Sequence, residues 1–170
     1  GGEMALRYCT LDRDGRLGVE RVVDQRVCEC CQTGAVVLDN GDPFVVFRDR
    51  LAGEVRDITS STLNAGRVRR SRRVHADNWV IQGCPVNGPS VDTHDKSVAV
   101  AWFTDVEKHP EVRVRFSRDS AQTFGQTIRV DDGGSAGRVD IVLVDADTAA
   151  VSWLKVADKT AEIRWRVIHR

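Results

Sequence analysis

Short runs in which apolar and polar residues alternate, broken by Gly, Asp and Asn turns, cover this chain from end to end. A period of two puts successive side chains on opposite faces of an extended strand, whereas a helix needs a period of 3.6 that no stretch here sustains. The pattern predicts an all-β protein. The first strands fall at 5–11 and 16–23, a hairpin about Asp12-Arg13-Asp14-Gly15. Strands at 35–38, 44–48 and 54–61 follow, and Asp39-Asn40-Gly41-Asp42 is a strong turn between the first two. After a polar segment at 64–73, four strands are predicted at 87–91, 97–103, 111–117 and 127–130, then three at 138–144, 149–154 and 162–168. Within the third strand of each of these sets, Val112, Val114 and Phe116 alternate with Arg113 and Arg115, and Ile163, Trp165 and Val167 with Arg164 and Arg166. One face of each strand is expected to be buried and the other wet.

The strand sets repeat. Phe44-Val45-Val46-Phe47-Arg48-Asp49, Val98-Ala99-Val100-Ala101-Trp102-Phe103 and Ala149-Ala150-Val151-Ser152-Trp153-Leu154 all occupy a second-strand position, at a spacing near fifty residues. That is the period of four-stranded propeller blades. Between the third and fourth strands of the middle set lies Ser117-Arg118-Asp119-Ser120-Ala121-Gln122-Thr123-Phe124. The short polar side chains Ser117, Asp119 and Thr123 suit hydrogen bonds to nearby amides, and Phe124 suits an anchor between neighbouring sheets.

This run resembles the Asp-box of the sialidase-like (BNR-repeat) β-propellers, Ser-x-Asp-x-Gly-x-Thr-Trp/Phe, which closes the hairpin between the third and fourth strands of a blade. Ala121 stands where that family has Gly. A left-handed backbone costs an L-residue about 1 kcal/mol or more, so the turn is either strained or shifted. The resemblance implies one partial propeller domain over 1–170. Residues 1–24 would end one blade, 25–75 form a second, 76–132 the Asp-box blade and 133–170 an unfinished one. About three blades per chain is half of a six-bladed ring. Two copies are therefore expected to close it as a homodimer, the N-terminal strand of each completing the last blade of the other.

Composition narrows the partners without naming one. The chain has 170 residues, 41% of them hydrophobic, enough for one buried core. Its 25 basic residues balance 25 acidic ones, so no global field draws it to nucleic acid or an anionic membrane. The only dense basic run is Arg67-Val68-Arg69-Arg70-Ser71-Arg72-Arg73, which lacks interleaved aromatics and reads as an exposed outer strand or loop. No apolar run approaches the ~18 residues that span a bilayer, and Gly1-Gly2-Glu3-Met4 has no signal-peptide layout.

The candidate chemistry sits in five cysteines, an odd count that leaves at least one thiol unpaired within a chain. Cys28-Glu29-Cys30-Cys31 and Gly83-Cys84-Pro85-Val86-Asn87-Gly88-Pro89 each precede the second strand of a set. Three outcomes stay open: a thiolate site for zinc or copper(I), one or more disulfides such as Cys31 to Cys84, or free buried thiols. On an extended strand, alternation sends Cys28 and Cys30 to one face and Cys31 to the other. Cys9 reads as an isolated strand residue. His75, His94, His109 and His169 show no metal-ligand spacing among themselves.

The CxCC and GCPVNGP runs together resemble members of the sialidase-like family that carry both, a likeness that extends to Phe47-Arg48-Asp49-Arg50, Glu54-Val55-Arg56-Asp57-Ile58, Asn78-Trp79, Ala101-Trp102-Phe103-Thr104 and Gly137-Arg138-Val139-Asp140. The sialidase reaction needs a tyrosine nucleophile with a glutamate helper, an aspartate acid/base and three arginines on the substrate carboxylate. Tyr8 is the chain's only tyrosine, placed near the N-terminus and read as a core or interface aromatic, so no complete catalytic set assembles. Arg48, Asp49, Arg50, Arg56, Asp57, Asn87, Arg138 and Asp140 are the candidates to line a polar channel for a carbohydrate or small anion, Arg48 and Arg138 as a bidentate clamp. The expectation is a non-catalytic binding or assembly unit, with an exo-sialidase-like hydrolase completed by a second copy, and a thiolate metal protein, as alternatives.

Overall fold

The computed structural model describes residues 3–64, 67–69 and 71–170; Gly1, Gly2 and the central Arg70 of the basic run lie outside that set. The chain is all-β, folded as antiparallel sheets. Strands β1 (Met4–Tyr8) and β2 (Arg21–Val27) form a two-stranded sheet. Its connecting arm is pinned by a Leu11–Leu17 bridge, and Asp12 Oδ1 accepts the Asp14 and Arg16 amides in the expected turn.

The second sheet runs β3 (Gly34–Val37), β4 (Pro43–Arg48), β5 (Ile58–Asn64) and β6 (Arg67–Val68), with β7 (Arg72–Arg73) also on β5. The third is a meander of β8 (Ser90–His94), β9 (Ser97–Val106), β10 (His109–Ser117) and β11 (Ile128–Arg129). The fourth has three strands, β12 (Ser135–Leu143), β13 (Thr148–Ala157) and β14 (Thr160–His169). No helix among the described residues is long and apolar enough to cross a membrane.

Strand β9 explains how the sheets stack. Its run Val98 to Phe103 is apolar at every position, the pattern of a strand covered on both faces. Val98, Val100 and Trp102 pack with Leu38, Phe44, Val46, Ile58 and Val74 of the second sheet and its outer loop. Ala99, Ala101 and Phe103 pack on the opposite side with Val139, Ile141, Leu143, Ala149, Val151 and Trp153 of the fourth. The first strands of the three larger sheets are neighbours: β3 lies against β8 and β8 against β12. Side chains lock the second of these joints, since Leu143 N–H donates to Asp92 Oδ2 at 2.7 Å and Ser90 Oγ to Asp140 Oδ1 at 2.7 Å.

The expectation for β10 matches the structure, with Val112, Val114 and Phe116 buried. That for β14 does not. Ile163, Trp165 and Val167 are 72%, 69% and 41% exposed, because no sheet among the described residues lies beyond them. The alternation is that of a covered strand, yet this face is open among the described residues.

Candidate functional site

The two cysteine segments converge just ahead of β3 and β8. Cys28 follows β2, and its amide donates to Arg48 O at 3.0 Å, tying the start of the segment to the end of β4. The chain then turns instead of extending, which overrides the face alternation expected for a strand. As a result the Cys28, Cys30 and Cys31 sulfurs gather on one point, 3.4 Å apart for Cys28–Cys31, 3.8 Å for Cys28–Cys30 and 4.0 Å for Cys30–Cys31. Cys30 is joined to Cys84 by a disulfide with a Cα separation of 6.1 Å, and this corrects the expected Cys31–Cys84 pairing. The turn presents Cys30 to the 83–89 segment and holds Cys31 against Cys28. Cys9 is exposed in the loop after β1, apart from the cluster and outside any strand.

The free thiols of Cys28 and Cys31 lie within hydrogen-bond reach of each other. Cys31 donates to the Cys28 sulfur and, against the opposing effect of burial, the Cys30 amide and the Arg56 guanidinium bring Cys28 down to about 6. Cys31 moves upward, first because its proton is held by Cys28 and then through burial, although Arg48 opposes the rise.

A ring of charge surrounds the sulfurs. Arg56 is 3% exposed; its Nη2 donates to Glu54 at 2.7 Å, while Nε and Nη1 make no hydrogen bond among the described residues. Arg50 bridges Glu54 and Glu29, at 3.1 Å and 2.7 Å, and Arg26 reaches Glu54 at 2.8 Å. Of these residues Arg50 and Arg56 are sequence candidates. Glu29 and Arg26 are not, although the position of Glu29 inside the cysteine run is signal enough to place it here.

Arg48, the expected anion clamp, is a joint of the fold. It is 1% exposed, stacks 4.9 Å from the Trp79 ring centroid, and donates through Nε to Asn87 O, Nη1 to Arg56 O and Nη2 to Phe103 O, at 2.7, 2.5 and 2.6 Å. Arg138 is joined to it through Asn87: the Arg138 amide donates to Asn87 Oδ1 at 2.9 Å, while its side chain is exposed and makes no hydrogen bond or ion pair among the described residues. Asn87 also bonds Ala136 O, and a Cβ on Gly137 would collide with it, which explains a glycine at φ 83° there. Gly88 is required for a different reason, since a Cβ there would strike the Gln32 carbonyl.

Three other candidates are occupied within the fold. Asp57 accepts the Asn78 and Trp79 amides and Arg73, Asp49 accepts the Arg50 amide and the Thr59 hydroxyl, and Asp140 takes Ser90. Tyr8 ends β1 half-buried, with a hydroxyl that finds no partner among the described residues. No histidine joins the sulfur cluster among the described residues.

The 117–124 turn is built as its residue types suggest. Ser117 Oγ accepts the Ala121 amide at 3.0 Å, Asp119 Oδ1 accepts the Thr123 amide at 2.8 Å, and the Thr123 hydroxyl bonds Asp119 rather than an amide. Phe124 and Ala121 pack against the core shared by β9 and the second sheet. Ser120 and Ala121 both take positive φ, 54° and 62°, so the turn keeps the left-handed geometry and carries its strain. Arg72 and Arg73 of the basic run are engaged by Gln122 O and Asp57, and line with Arg69 a cleft of about 480 Å³ beside this turn.

No family model and no curated protein matches this chain.

Proposed function

We propose that this chain is a segment of a sialidase-like propeller, a binding and assembly unit without catalysis, whose ligand site is the cysteine cluster at the inner rim. The observation that carries the reading is the convergence of Cys28, Cys30, Cys31 and Cys84 immediately ahead of two neighbouring first strands, β3 and β8. Ligand sites in ring-like β folds form where the inner strands and their loops face a shared axis. Three further features support the ring: meanders of the same order, first strands side by side, and a turn of Asp-box composition between β10 and β11. The absence of catalysis is supported by Arg48, whose three donors are spent on carbonyls of the fold rather than left free to grip a substrate carboxylate.

The assembly half of the proposal rests on β14, whose outward Ile163, Trp165 and Val167 need a neighbour. A second copy supplies one if its β1–β2 sheet docks there. Light scattering at micromolar concentration is expected to give about 38 kDa, twice the 18.9 kDa of the chain. A well-behaved 18.9 kDa species would refute the closure, and turnover of a fluorogenic sialoside would refute the absence of catalysis.

A further inference from the structure

We infer that the ligand of the inner-rim site is one zinc ion, held by Cys28, Cys30, Cys31 and Cys84, and that the Cys30–Cys84 disulfide is the oxidised, metal-free form of the same site. This rests on the reading of the cluster as a ligand site.

The geometry comes first. A tetrahedral zinc with Zn–S bonds of about 2.3 Å spaces its sulfurs about 3.8 Å apart. The triangle of Cys28, Cys30 and Cys31 has edges of 3.4, 3.8 and 4.0 Å, so three vertices of such a tetrahedron already stand in the folded chain. The fourth is at hand: the Cys84 sulfur lies within 4.8 Å of Cys28 and is bonded to Cys30. A larger iron–sulfur cluster spreads its cysteines around several metal atoms, and this triangle is too tight for one.

Charge supplies an independent argument. Four thiolates on a divalent ion carry a net charge of −2, and with Cys28 buried, Cys30 and Cys31 half-buried and Cys84 exposed, the protein must compensate the part of that charge held out of water. Arg48 and Arg56 are two buried guanidiniums whose charges reach these sulfurs. Arg56 also leaves Nε without a hydrogen-bond partner among the described residues, and Nη1 with only a long ion pair to Glu29 at 3.8 Å, although buried donors are rarely orphaned. Thiolates bound to zinc are strong acceptors for such N–H groups, and this outer contact is the usual companion of a structural zinc site.

Oxidation state decides occupancy. A dithiol reductant attacks the Cys30–Cys84 bond, gives it two electrons and leaves as its own disulfide. The two sulfurs depart as thiols, and zinc then displaces the thiol protons to solvent. Loading without prior reduction is weakened because two of the four ligands are tied to each other.

The test uses the full chain purified with a reductant and titrated with zinc, then with cobalt(II) as a spectroscopic substitute. The expected result is one ion per chain and a cobalt spectrum with thiolate charge-transfer bands and the intense visible bands of a tetrahedral site. Affinity should fall by roughly a hundredfold or more in Cys31→Ser, Cys84→Ser and the oxidised chain, and stay unchanged in Cys9→Ser. Reduced wild-type chain that takes up no zinc, a pale octahedral cobalt spectrum, or copper(I) binding that survives Cys84→Ser in the absence of zinc binding would overturn it. If a serine variant fails to fold, the wild-type cobalt spectrum still decides. Mass measured on the same sample keeps the readings apart: a metal-loaded monomer sinks the ring closure alone, and a metal-free dimer sinks the zinc site alone.

Discussion

Replacing Arg48 by methionine is expected to cost about 3–5 kcal/mol of folding stability, because the side chain is a buried charge that joins three segments. Its guanidinium donates to the carbonyls of Asn87, Arg56 and Phe103 at 2.5–2.7 Å and covers the Trp79 ring at 4.9 Å. Methionine fills a similar volume and removes all three donors. Each buried carbonyl left without a partner costs about 1–3 kcal/mol, partly offset by removing the desolvated charge itself. Domains of this size hold about 5–15 kcal/mol in total, so the loss is a large fraction and lowers the melting temperature by roughly 10 °C. Urea unfolding followed by tryptophan fluorescence measures it directly, since Trp79 lies under the guanidinium. Arg48→Lys should lose nearly as much, because one ammonium cannot match a fork aimed at three carbonyls. The exposed Arg138→Met is the control and should stay within about 0.5 kcal/mol of wild type. An Arg48→Met chain within about 1 kcal/mol of wild type would refute the reasoning and return Arg48 to the candidates for a ligand clamp.

Two other substitutions test local features. Ala121→Gly should stabilise the chain by about 0.5–1 kcal/mol, since it relieves a left-handed alanine at φ 62° and loses one methyl contact with the core; a loss in urea midpoint would show that the turn is not strained. Asp49 gives the pH dependence: burial, with help from Asp24 and Asp57, raises its carboxyl from 3.8 to about 6. A raised folded value means its contribution is full below 3.8 and is lost as pH climbs through 6. Wild type should therefore fall by ~2 kcal/mol relative to Asp49→Asn across that window, and parallel stability profiles would contradict the assignment.

The strands were legible because their chemistry is local. Val112, Val114 and Phe116 alternate with arginines, and β10 buries that face; the unbroken apolar run of β9 marks a strand covered on both sides. What eluded sequence reading depends on distant partners. Arg48 sits at the end of an apolar strand, and nothing nearby reveals that carbonyls from residues 56, 87 and 103 surround it. The exposure of Trp165 reflects that no sheet among the described residues lies beyond β14, which no pattern within that strand encodes. At the cysteines, the residue types point to a gathering of sulfurs and to a disulfide, but strand alternation does not hold where the backbone turns. The turn brings together three sulfurs that alternation would separate, and pairs Cys84 with Cys30 rather than with Cys31.

X-ray absorption at the zinc edge of the reduced, zinc-loaded chain tests the central claim most directly. The account predicts a single shell of four sulfurs at about 2.3 Å. A shell of nitrogen or oxygen at about 2.0–2.1 Å, or fewer than three sulfurs on the ion, would contradict it.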